Sequence, residues 1–160
     1  MKVLVCGFGS IGKRHADNLR TLGHQVVAAD PLSAPPSPGT GWLMFYRSWE
    51  RMLSDHADSA QACVIASPTE HHLDQLEAAL DVGLPVYLEK PACTTAEVDR
   101  LRTLVEQQPS TALIRSTVGF QYRAHPRMPD VVKLARTGQL DFTACDRLLS
   151  RYGPRVGEVM

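Results

Sequence analysis

The chain has 160 residues, 44% hydrophobic and 21% charged, which is enough for one folded domain with a real core and a small appendage. Its 17 basic and 17 acidic side chains cancel, so no electrostatic footprint points to nucleic acid or to an anionic membrane surface. No apolar run approaches the roughly 20 residues of a membrane span. The apolar opening is too short for a secretory leader, and the four cysteines form no Cys-x-x-Cys pair. The expectation is a cytoplasmic protein with reduced thiols and no bound metal.

Taken in chain order, short apolar runs alternate with helix-period segments, the pattern of βαβ units on a parallel sheet. Residues 3–6 are apolar at consecutive positions, as in a strand buried on both faces. Residues 11–22 read as a helix with Ile11, His15, Leu19 and Leu22 on its inward stripe, ended by Gly23. Residues 25–29 form a second strand, closed by Asp30-Pro31 and followed by a proline-rich loop. Residues 42–46 predict a third strand, after which Ser48 caps a short helix. Residues 62–66 are a fourth strand, and Thr69 is read as the cap of a helix carrying Leu73, Leu76 and Leu80 inward. Residues 85–88 are a fifth strand. The stretch TTAE (94–97) has capping-box spacing and opens a helix with Val98, Leu101 and Val105 inward. Residues 112–118 complete six strands. The domain division is therefore 1–120 for a doubly wound α/β domain and 121–160 for a linker and the start of something smaller, with a short helix over 131–136.

The stretch GFGSIGKRH (7–15) lies between the first strand and the first helix. In that context its glycines at 7, 9 and 12 fit a dinucleotide turn of Rossmann type. Gly7 permits the tight turn, Gly9 lets a pyrophosphate approach the backbone, and Gly12 lets the helix pack close to the strand. The N–H groups near Ser10 and Ile11 then face the phosphates at the positive end of the helix. Asp30 lies 23 residues after Gly7, where a carboxylate meets the adenosine ribose and repels a 2′-phosphate, favouring NAD over NADP. His15 reads as a packed, hydrogen-bonded residue. His71 and His72 point about 100° apart on a helix and cannot share a metal. His24 and His56 read as surface residues, and Trp42 and Trp49 as packing.

Two further motifs, SPTEHH (67–72) after the fourth strand and EKP (89–91) after the fifth, stand in order behind GFGSIGKRHADNL. Together with GFQYRAHP (119–126) they make the chain resemble the N-terminal half of the Gfo/Idh/MocA oxidoreductases. The opening is most similar to members associated with sugar and nucleotide-sugar biosynthesis. The resemblance implies an NAD-binding Rossmann domain that transfers hydride to or from a sugar, polyol or nucleotide-sugar carbon. It also implies a cofactor set of Gly7, Phe8, Gly9, Ser10, Ile11, Gly12, Asp30, Ser67, Pro68, Thr69, His72, Glu89 and Lys90, with His71 as the alternative to His72. Lys90 would be the catalytic residue, the bond before Pro91 would be cis, and Gln121, Tyr122 and Arg123 would lie near the substrate. Apart from the family, a lysine at a strand end can take or return the hydroxyl proton that hydride transfer requires. Family members are about twice as long and carry an Asp-x-x-x-His pair in a second domain. Residues 141–160 offer Asp141 and Asp146 but no histidine, so the substrate domain is expected to be largely missing. A completing partner chain or self-association is expected, and a non-catalytic nucleotide-binding module is the alternative.

Overall fold

The computed structural model describes residues 1–36, 44–109, 115–120 and 125–137. Its chain divides into two units, Met1–Gly119 and Phe120–Met160. In the first, β1 (Lys2–Cys6), α1 (Ser10–Thr21), β2 (Gln25–Ala29), β3 (Met44–Tyr46) and α2 (Trp49–His56) are followed by β4 (Ala62–Ile65). A 3-10 turn, Thr69–His71, leads into α3 (His72–Asp81), and β5 (Val86–Leu88) follows. A second 3-10 turn, Thr95–Glu97, leads into α4 (Val98–Gln107) before β6 (Thr117–Val118). All pairings are parallel in the order β3-β2-β1-β4-β5-β6, the doubly wound Rossmann arrangement. Trp42 and residues 112–114, read as the outer parts of the third and sixth strands, lie outside the described residues.

The consecutive apolar run in β1 is explained by burial on both faces. Leu4 and Cys6 join Met52, Leu73, Leu80 and Leu104 under α2, α3 and α4. Val3 and Val5 join Ala16, Val26, Ala28 and Val64 under α1, because side chains alternate along a strand.

The inward faces of two helices differ from expectation. In α1 the buried residues are Gly12 and Ala16, whereas Ile11 and Leu22 are 37% and 71% exposed. A helix this close to its sheet selects small residues over large ones on the touching side. In α4, Leu101 packs against the core as expected and Leu104 is buried, while Val98 and Val105 face outward at 47% and 39% exposure. Thr69 makes no side-chain cap. The other two caps behave as read. The Thr94 hydroxyl and N–H both donate to Glu97 Oε2, at 2.6 and 3.1 Å, which holds the Glu97 carboxyl below its ordinary value. The Arg51 N–H donates to Ser48 Oγ at 3.0 Å. Ser48→Ala is expected to destabilise the domain by about 1 kcal/mol, a fall in Tm of about 4 °C, readable by thermal circular dichroism.

In the second unit α5 (Met128–Arg136) begins three residues before the predicted start, since Pro129 suits a first helical turn.

Candidate functional site

The order of strands reverses direction between β1 and β4, and the turns after their carboxyl ends open a crevice there, as expected at a topological switch point. Gly7 follows β1 with φ +88° and donates its N–H to Ala29 O at 2.8 Å. A Cβ at Gly7 would stand 2.5 Å from the main-chain nitrogen of Ser67, so only glycine lets the two turns approach. A Cβ at Gly12 would collide with the Gly7 carbonyl, which fixes the close approach of α1. At Gly9 nothing lies within 4 Å of the same position, and that open space belongs to the cleft.

The cleft holds about 620 Å³, within the range of small-molecule sites. Gly7, Gly9, Ser10, Ile11, Asp30, Ser67 and Pro68 line it, and the strand order puts the turn after β1 between those after β2 and β4. No side chain caps α1 and no acid stands in its first turn. The first-turn N–H groups of a helix have no intrahelical acceptor, and together with the open space at Gly9 they form an anion cradle. The residues present therefore fit a dinucleotide pyrophosphate.

Asp30 is built rigidly. Its Oδ2 accepts the Phe8 N–H at 2.7 Å, and its Oδ1 accepts the N–H groups of Leu32 and Ser33 at 2.8 and 2.7 Å. Partial burial is the largest single influence and pushes the carboxyl up, but the bonds from Phe8, Ser33 and Leu32 outweigh it and hold it below its ordinary value. Oδ2 takes one of these three main-chain bonds, and a carboxylate oxygen can accept a second, such as a ribose hydroxyl. The depressed value has a definite sign for stability. The contribution is complete above the ordinary carboxyl range, near pH 4, and is lost as pH falls through the folded value. Asp30→Asn is expected to melt lower than the parent at neutral pH, with the gap closing below about pH 4 in a series of thermal melts.

Three cleft residues were not legible in the sequence. Arg47, at the end of β3, donates from one guanidinium nitrogen to the Pro31 and Ser33 carbonyls at 3.1 and 2.8 Å, bracing the loop after Asp30. Trp49 both packs against the core and lines the cleft, and Gln75 accepts the Ser67 hydroxyl at 2.7 Å. For Arg47 and Trp49 the signal is the sheet order, which brings the end of β3 beside the end of β2.

Other members of the expected cofactor set do not line the cleft. Phe8 is buried edge-on to Phe45 at 5.4 Å between ring centroids, and its N–H serves Asp30. Gly12 packs under the turn, and Thr69 opens the 3-10 turn. His72 is 1% exposed, with both ring nitrogens on main-chain oxygens, so the cleft wall falls to His71. Glu89 Oε1 meets His15 Nε2 at 2.8 Å, and Glu89 Oε2 accepts the Lys90 N–H at 3.2 Å. The carboxylate thus ties the turn after β5 to α1. Burial pushes the nearby Tyr87 hydroxyl up, Glu89 adds to the rise, and Arg14 opposes it. Lys90 is exposed, and its bond to Pro91 is cis. Gln121, Tyr122 and Arg123 lie outside the described residues. Among the described residues no group of three His, Cys, Asp or Glu side chains could hold a metal, and no helix is long and apolar enough to cross a membrane.

Residues 1–116 match a family model described as the oxidoreductase family with NAD-binding Rossmann fold, Gfo/Idh/MocA. An inositol 2-dehydrogenase of Corynebacterium glutamicum is 32% identical over 99% of this chain and 47% of its own length. A second, from Rubrobacter xylanophilus, is 31% identical over 84% of this chain and 39% of its own. The chain thus spans about half the length of the curated relatives it matches. The crystal structure of scyllo-inositol dehydrogenase from Lactobacillus casei, with bound NAD(H) and scyllo-inositol, superposes with a TM-score of 0.68 at 24% identity, covering 87% of this chain and 42% of that one. That likeness concerns the fold. With its glycine turn, the Asp30 carboxylate at the end of β2 and the strand order in place over a match of 116 residues, the chain belongs to the Gfo/Idh/MocA oxidoreductases, NAD-binding Rossmann fold.

Proposed function

We propose that this chain forms the cofactor half of an NAD-dependent polyol dehydrogenase that oxidises a secondary alcohol of a cyclic polyol of the inositol class. The observation that carries the reading is the succession of groups in one cleft: the Asp30 carboxylate, the Gly7–Gly9–Ser10 cradle, and the Ser67–Pro68 wall. This matches the succession of adenosine ribose, pyrophosphate and nicotinamide. The substrate class is supported by the named activity of the relatives.

Bound NAD would supply the acceptor for the hydride of the substrate's carbinol carbon. Asp30 Oδ2 accepts a ribose hydroxyl, and the first-turn N–H groups of α1 hold the phosphates. Ser67 and Pro68 wall the nicotinamide. Lys90 Nζ takes up the hydroxyl proton as the carbonyl forms and returns it in the reverse direction. Glu89, held by His15, keeps that turn in place. Asp30 disfavours a 2′-phosphate, so NAD is preferred over NADP.

Titration of NADH fluorescence with the chain is expected to saturate below millimolar cofactor, and no saturation there would overturn the reading. Binding without NAD reduction by any inositol or sugar would make the chain a nucleotide-binding module instead.

A further inference from the structure

His72 is the one buried imidazole among the described residues, and both of its nitrogens face oxygens that can only accept. Nδ1 lies 2.8 Å from the Pro91 carbonyl and Nε2 lies 2.9 Å from the Ser67 carbonyl. A neutral ring has one N–H and one lone pair. Whichever tautomer it took, that lone pair would point at a carbonyl oxygen where the 1% exposure leaves no access for water. Turning the ring over places carbon atoms against both oxygens. We propose that His72 carries hydrogen on both ring nitrogens and is a positioning residue. Its ring clamps the Ser67 turn to the Pro91 turn and so sets the gap between the Ser67–Pro68 wall and Lys90.

Two effects oppose this: burial disfavours a charged ring, and so does its place on the helix. His72 is the first residue of α3, where the helix dipole disfavours a positive charge. Against them stand two charge-assisted bonds, each about twice the strength of a neutral one, and the lone-pair repulsion against a carbonyl that either neutral tautomer would bury. The ionisable side chains on the surrounding elements are Glu70, His71 and Asp74 on its own segment, Glu89 and Lys90 on the opposed turn, and Arg100 on α4. Asp74 is engaged by Arg100 at 2.7 Å and Glu89 by His15, and none of the six bonds the ring. The clamp is therefore made of main chain alone, and both oxygens belong to the turns that carry the family motifs.

The protonation half of the proposal is independent of the proposed function, and the positioning half rests on it. Long-range proton–nitrogen correlation spectra of the nitrogen-15-labelled chain at neutral pH test the first. The ring is assigned as the one that persists when His15, His24, His56, His71 and His125 are each replaced by glutamine. Both nitrogens of His72 are expected in the N–H range with directly bonded hydrogens, and one unprotonated nitrogen would overturn the proposal. For the second half, His72→Asn and His72→Gln each leave one carbonyl unpartnered. At a temperature where circular dichroism shows them folded, each is expected to bind NADH about tenfold more weakly. Unchanged affinity in both would overturn the positioning role. If neither folds, the positioning half falls, and the spectrum of the parent ring still decides the protonation half. If the parent itself fails to bind NADH, the functional reading falls and takes the positioning role with it, while the spectra still decide the protonation.

Discussion

Gly7→Ala is expected to destabilise the domain by about 3 kcal/mol and to abolish NADH binding. The backbone there has φ +88°, and an L-residue in that region is strained by on the order of 1–3 kcal/mol. The added methyl would also sit 2.5–2.7 Å from Ser67 N, Ser67 Cα and Ala66 C. These are main-chain atoms at the end of a central strand, which cannot swing aside as a side chain could. The fall in Tm should be on the order of 10 °C by circular dichroism. Gly9→Ala is the contrast, since its methyl meets nothing within 4 Å and should leave the melt nearly unchanged while filling the phosphate cradle. A Gly7→Ala chain that melted with the parent would refute the account of the turn.

Lys90→Ala is expected to separate binding from chemistry. The ammonium makes no hydrogen bond or ion pair among the described residues, so its removal should leave the fold intact and hold NADH affinity within about threefold. Wherever polyol oxidation is measured for this protein, kcat should fall by about 10²–10⁴-fold, the usual contribution of a positioned acid–base group. Steady-state kinetics beside a fluorescence titration make the comparison. Undiminished turnover would remove Lys90 from the proton path.

Strands were the most legible part of the chain, because a strand buried on both faces is apolar at every position and needs no phase. β2 begins and ends at the expected residues, and the Asp30 site follows from its end. Helical faces were harder. His71 and His72 are neighbours about 100° apart, and which one faces the cleft depends on the 3-10 turn that opens the segment, a detail of phase that residue type does not record. α1 presents Gly12 and Ala16 to the sheet with Leu19 beside them, so reading Ile11 and Leu22 inward rotates its face. Arg47 and Trp49 reach the cleft through strand order, a property of the whole sheet. The bonds of Asp30 to Leu32 and Ser33, by contrast, are local turn chemistry that an aspartate before a proline already suggests.

The meeting of Gly7 with Ser67 has a consequence for how the protein acquires its site. These residues are sixty positions apart in the chain, and their approach exists only once Cys6 is paired with Ile65 across β1 and β4. Loop closure over that span is a slow, high-contact-order event. Each half of the cleft can form locally, but the cradle as a whole belongs to the assembled sheet, so competence to bind arises with the central pairing and is lost with it. A dinucleotide that binds only the closed arrangement stabilises that pairing by mass action. Cofactor occupancy then protects the sheet at its least local joint.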